Sequence, residues 1–293
     1  MKNLKISSIA FVIISFIGFS SCEKYLEFDT DDKTSKLVVN SLMDGDSLFR
    51  VNVSHSLNIL DDGTLNQIES ASVKILDAND NLVETLTHTT NGTYIGATKP
   101  TPGTIYKVNV SASNYATVTA TDKLPTAINI LSADTLGIVD ANGDSVLQIT
   151  LKFQDIGGVT NRYMLELFTA DIISGTIYIN PTTFNSNDVS LSGNGIGGDS
   201  EASYSQAVFT DNLFDGTIKT LIITTEDTRL YDSFLQITLS NISDPWYEYR
   251  RTVNRHLANQ GNPFAQPVIV YNNIENGFGI FGARMITRKK ISY

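Results

Sequence analysis

Between Lys36 and Lys123 the chain is built of short stretches in which apolar and polar residues alternate, each ended by turn-forming residues. A period of two sends successive side chains to opposite faces of a strand, so such stretches suit half-buried β-strands rather than helices. The runs are Leu37–Asn40, Phe49–Ser54, Ala71–Leu76, Leu82–Thr87, Thr93–Gly96, Tyr106–Ala112 and Thr117–Thr121. Asp77-Ala78-Asn79-Asp80-Asn81 separates two of them, and Asn and Asp tolerate the left-handed backbone that a hairpin loop demands. Pro100, Pro102 and Gly103 mark a further loop. Strands and turns at this spacing predict an Ig-like antiparallel sandwich over residues 36–124.

Leu124-Pro125-Thr126 closes that unit, because a proline after the last strand cannot donate to a sheet ladder. Beyond it the candidate strands are longer: Ser145–Gln154, Arg162–Ala170, Gly175–Ile179, Ser203–Thr210, Thr217–Thr225 and Ser233–Ser240. They predict a second domain over residues 125–293, a larger antiparallel β-sheet or a barrel-like arrangement, and a chain that is mainly β. One segment departs from this pattern. Asp244 can cap a helix, Pro245 suits its first position, and Trp246, Tyr249, Val253 and Leu257 recur at helical spacing, which predicts a helix over residues 244–260. Gly261 and Pro263 supply the stop. Arg250, Arg251, Arg255 and His256 are read as a solvated face in preference to a basic docking patch.

The amino-terminal segment has a different character. Lys2 and Lys5 precede an apolar run from Ile6 to Phe19, and Phe19-Ser20-Ser21-Cys22 follows, with Cys22 the only cysteine of the chain. The three-part layout is that of a secretory signal peptide over residues 1–21, ending in a sequence that resembles a bacterial lipobox. Lipidation at Cys22, with diacylglycerol on sulfur and an acyl chain such as palmitate on the new amino group, is the expectation, since two signals anchor stably where one does not. The apolar run is shorter than the roughly 20 residues a membrane-spanning helix needs. Residues 22–35 form an acidic tether, read first as a solvated spacer that holds the folded body off the lipid; the Asp and Glu just after Cys22 also resemble the start of Bacteroidota surface lipoproteins, a resemblance that implies display on the outer leaflet of an outer membrane. With 21 basic against 31 acidic residues, the chain is repelled by phosphate backbones, which argues against nucleic-acid partners.

Few motifs offer chemistry. Gly193-Asn194-Gly195-Ile196-Gly197-Gly198 and Gly277-Phe278-Gly279-Ile280-Phe281-Gly282 have the glycine spacing of a dinucleotide fingerprint, but neither sits between a strand and a helix. The second reads as a strand entry where close backbone packing excludes side chains. Asp140, Asn142 and Asp144 match the first positions of a calcium loop, but Ser145 stands where glycine is needed and Leu151 where a bidentate Glu belongs, so a hairpin turn is favoured. His55, His88 and His256 are far apart in sequence, and no nucleophile elbow or zinc-binding pattern is present. The residues therefore indicate no catalytic, cofactor-binding or metal site and no enzyme. A carboxylate pair of the kind that hydrolyses glycosides leaves little trace in sequence and stays open as an alternative.

Asn262-Pro263-Phe264-Ala265-Gln266-Pro267-Val268, then Asn272-Asn273-Ile274 and Asn276-Gly277-Phe278-Gly279-Ile280-Phe281-Gly282-Ala283, resemble the ending of a Bacteroidota lipoprotein family, domain of unknown function 4249. Leu37-Val38-Val39-Asn40, Ala71-Ser72-Val73-Lys74-Ile75, Tyr106-Lys107-Val108-Asn109-Val110, Tyr247 and Tyr249 are similar to it as well. The resemblance implies an outer-membrane lipoprotein that works beside a TonB-dependent receptor as a non-catalytic binding or accessory subunit. It supplies no catalytic residues and no ligand. A structural or adhesive surface lipoprotein is the alternative, with loop Ser192–Ser203 a candidate contact surface in the binding reading.

Overall fold

A computed structural model describes residues 35–57, 66–191, 195–196, 203–227, 233–260 and 264–291. Cys22, the signal peptide, the tether up to residue 34, most of the 193–198 glycine run and of loop 192–203, and Gly261 and Pro263 lie outside the described residues. Residues 35–293 form one compact unit.

The first strands are β1 (Leu37–Asp44), β2 (Arg50–His55), β3 (Ser72–Asp77), β4 (Leu82–Thr90), β5 (Thr93–Ile95), β6 (Ile105–Ser111) and β7 (Val118–Lys123). They coincide with the alternating runs. Then follow β8 (Asn129–Val139), β9 (Ser145–Gln154), β10 (Arg162–Ile173), β11 (Thr176–Thr182), β12 (Phe184–Asn185), β13 (Gly195–Ile196), β14 (Ser203–Tyr204), β15 (Gln206–Thr210), β16 (Ile218–Glu226) and β17 (Ser233–Ile242). Helix α1 (Asp244–Asn259) and the closing strand β18 (Phe278–Ile291) complete the order.

One long sheet runs β13-β15-β10-β17-β18-β1-β2-β5-β4-β3-β6-β7, with β11 beside β10, and a second runs β14-β12-β16-β9-β8. The long sheet folds over at β4, whose first half pairs with β3 and whose second half pairs with β5. Its two arms face each other as the amino-terminal sandwich around Val39, Val51, Val53, Val73, Ile75, Val108, Val110 and Val118. At its other end β10, β15 and β17 face β9 and β16 across a second core that includes Leu147, Ile149, Leu151, Phe153, Leu165, Leu221 and Leu239. On β9 the polar residues Gln148, Thr150 and Lys152 alternate with the buried row, the period of two that makes the strand legible. Neither sheet closes on itself among the described residues, so the larger half is built of open sheets and the barrel-like alternative is set aside.

The closing strand joins the two cores. β18 runs parallel to β1 from Val38↔Phe278 to Asp44↔Arg284, and antiparallel to β17 from Arg284 to Ile291. Phe281 and Ala283 enter the first core and Ile291 the second. Glycine is required for this approach: a Cβ on Gly277 would stand 2.6 Å from the Leu37 carbonyl oxygen, and one on Gly279 2.0 Å from that of Val39. The glycine spacing is thus a packing device, as the strand-entry reading expects. Phe281 precedes the stretch paired with β17, and the Asn273 side chain takes the place of a neighbouring strand there. Its amide donates to the Phe281 carbonyl at 2.8 Å and its oxygen accepts from the Phe281 amide at 2.9 Å.

Helix α1 differs from expectation in two respects. Its N-cap is Ser243, whose hydroxyl accepts from the Trp246 amide, and Asp244 instead pairs with Arg162 at 3.1 Å. Its buried residue is Tyr247, packed with Trp246 on Met164, Val208 and Ile242, whereas Leu257 is 51% exposed. The helix is held by its first turns, where Gly282 leaves room for Trp246, so the expected apolar stripe does not extend to its far end. Two of the basic residues are engaged locally: Arg250 bonds to Gln206 and lies over the Trp246 ring, and Arg251 pairs with Glu248.

Candidate functional site

Where the two cores meet, β7, the connector after it, the β9–β10 loop, the end of β17 and the start of α1 line an open cavity of about 400 Å³. Asp122 and Lys123 come from β7, Asn161 from the loop, and Asn241, Ser243 and Asp244 from the β17–α1 junction. Asn241 fixes the connector by donating to the Thr126 carbonyl at 3.1 Å. Ser243 ties three elements together, since its hydroxyl also accepts from the Ala283 amide of β18 at 3.0 Å. Arg162 lies over the Tyr247 ring while it pairs with Asp244 at the start of α1.

Asp122 is the unusual group of this cavity. It is buried, and its Oδ1 accepts from the Lys123 amide at 2.8 Å. Burial pushes its carboxyl up to about 7, against the pull of the Ser243 hydroxyl and the Lys123 amide and with a further push from the Asp244 charge. A carboxyl in this range changes charge near neutrality, which a solvent-exposed aspartate does not do.

A second acidic group adjoins this wall. The carboxylates of Asp155, Asp211 and Asp215 bring oxygens within 4.8 Å of one another, and Asp155 and Asp211 are each only 2% exposed. Asp155 accepts from the Tyr163 hydroxyl and, at 2.6 Å, from the Gly216 amide. Asp211 accepts from the Asn161 backbone at 2.6 Å, and Asp215 from the Gly158 amide at 2.9 Å. The Asn161 side chain closes the network by donating to the Ile156 and Val159 carbonyls at 2.8 and 3.0 Å. Burial, the bond to Asp155 and the three nearby negative charges all push the Tyr163 phenol up. Oxygen clusters of this kind suit hard cations, which take six to eight oxygens. Here the donors already supplied by the protein make the cluster a clamp between the 156–161 and 211–217 loops.

The sequence motifs fall elsewhere. Asp140 accepts from the Asn142 and Asp144 amides, both at 2.9 Å, and makes the β8–β9 hairpin turn. His55 lies on β2, His88 on β4 beside Tyr94, and His256 on α1 bonded to the Val268 carbonyl. Asp122, Asp155 and Asp211 are not singled out by sequence. The only local hint at the clamp is an Asp followed by glycines after a strand, in Asp155-Ile156-Gly157-Gly158 and in Asp215-Gly216.

Together these features define a mainly β protein in which two sandwiches share one sheet and meet at a cavity that holds the buried Asp122. The chain belongs to the family described as Domain of unknown function (DUF4249), whose family model matches residues 23–290. No curated protein matches it.

Proposed function

We propose that this chain is a lipid-anchored protein of the cell envelope. Cys22 carries the lipid, residues 22–35 are the acidic tether, and the β body binds a partner or solute without chemistry, in concert with a TonB-dependent outer-membrane receptor. The observation that carries this reading is one of position. The family match begins at residue 23, directly after Cys22, and the compact body begins at Ser35. Among the described residues no helix is long and apolar enough to cross a membrane. Anchoring in this reading falls to the lipid, whose two attachments give the stable retention that a single chain lacks.

The test is Cys22→Ser, with incorporation of an alkyne-tagged palmitate and fractionation of the envelope as readouts. The variant loses the label and moves from the membrane to the soluble fraction with its thermal unfolding unchanged. Retention of the variant in the membrane fraction would overturn the anchor. Purification from outer membranes in mild detergent tests the receptor: a stoichiometric barrel partner supports it. Recovery of the chain alone favours the structural or adhesive role instead.

A further inference from the structure

The solvent face of the five-stranded sheet carries a groove of about 450 Å³, separate from the junction cavity. Gln148 of β9, Thr224 of β16 and Asn185 of β12 stand opposite one another across adjacent strands. At roughly 4.8 Å between strands, such a row places three side chains along about 10 Å. Alternation sets Ile222 and Thr220 on the same face as Thr224, because Leu221 and Ile223 are buried. Ile222 is 51% exposed in the middle of the groove. Ser186 secures the segment that carries Asn185 and Asn187 by donating to the Ile222 carbonyl at 2.8 Å.

The lining has a distinctive chemistry. Among the described residues, the side chains of Gln148, Asn185, Asn187, Thr220 and Thr224 have no hydrogen-bond partner in the protein. Carboxamides and hydroxyls both donate and accept. The one charged residue of the lining, Asp188, is neutralised by Lys219, whose ammonium lies 2.8 and 2.9 Å from its two oxygens. Within the lining an anionic ligand thus meets no free cation and a cationic one no free carboxylate, and the one cation beside it, Lys152, stands at the groove's edge opposite Thr220. No aromatic ring lines the groove to stack a flat base. The ligand that matches is neutral, dense in hydroxyls, and has an apolar face for Ile222.

From this arrangement we infer that the groove binds a neutral oligosaccharide, with hydroxyls on the Gln148–Thr224–Asn185 row and a pyranose C–H face on Ile222. The inference goes beyond the envelope role proposed above, and its test needs neither the anchor nor a receptor. The full chain in mild detergent is run by affinity electrophoresis through gels containing a neutral glucan, mannan, galactan or xylan, with anionic alginate for comparison. At least one neutral polysaccharide retards it, and the double variant Gln148→Ala, Asn185→Ala weakens that retardation about tenfold or more. Ile222→Asp, a change at a half-exposed position, abolishes it with the melting curve preserved, while Lys74→Ala on β3 leaves it intact. Retardation by none of the four, by alginate alone, or equally in the groove variants and the original chain would overturn the inference.

Discussion

Gly279→Ala is the sharpest probe of how the closing strand is held. Gly279 has a φ of +117°, and a Cβ there would stand 2.0 Å from the Val39 carbonyl oxygen and 2.8 Å from its carbonyl carbon. Two costs therefore add. A side chain at such a φ costs about 1–3 kcal/mol, and forcing a methyl group against backbone that cannot rotate away costs about 1–3 kcal/mol more. The sum, roughly 2–6 kcal/mol, is a large share of the 5–15 kcal/mol typical of a folded domain. At about 2–4 °C per kcal/mol it lowers the melting temperature by roughly 5–20 °C. Gly143→Ala separates the two costs, because Gly143 has a φ of +91° with nothing within 4 Å of its added Cβ. Thermal unfolding of both variants, followed by circular dichroism, shows the Gly279 change to be the more damaging by a few kcal/mol. Equal melting temperatures would refute the close parallel pairing of β1 and β18.

Asp122→Asn tests the buried carboxyl. Its folded-state pKa lies above the unfolded value, so the folded state binds the extra proton and loses stability as pH rises from about 4 to about 7. The original chain loses up to about 4 kcal/mol over that window, whereas Asp122→Asn shows no such slope in urea unfolding at a series of pH values. Tyr163→Phe removes a buried donor to Asp155 and costs about 1–3 kcal/mol, read from the urea midpoint. Asn273→Ala leaves the amide and carbonyl of Phe281 without their side-chain partner and costs about 1–3 kcal/mol, with faster hydrogen exchange at the Phe281 amide than in the original chain.

The strands are legible where one face is buried, since burial imposes the alternation. Leu147, Ile149, Leu151 and Phe153 are all fully buried, and the run that holds them, Ser145–Gln154, has the same bounds in sequence and structure. β8 lacks that trace. It lies at a sheet edge, its register shifts between Ile130 and Ser132, and Leu131, Leu136 and Val139 are exposed, so neither face imposes a pattern. The helix is marked by its proline and aromatic residues, but its cap falls one position earlier than expected, on Ser243, while Asp244 pairs with Arg162, a partner invisible in the local sequence.

The same reasoning explains why the glycine spacing is readable and the junction cavity is not. Asp122 and Ser243 meet because β7 and β17 end at the same place, and nothing about either residue locally requires the other. A carboxylate or hydroxyl is at home in any exposed loop, so its type carries little information about distant neighbours. Close backbone approach is different, because it excludes every side chain with a Cβ and leaves one residue type. Gly277 and Gly279 thus record in the sequence a contact with Leu37 and Val39 at the far end of the chain. A long-range contact can be read from sequence when it restricts residue type, and the groove meets that condition only weakly. Amides and hydroxyls are common on exposed sheet faces, and only the strand register brings Gln148, Thr224 and Asn185 into one row.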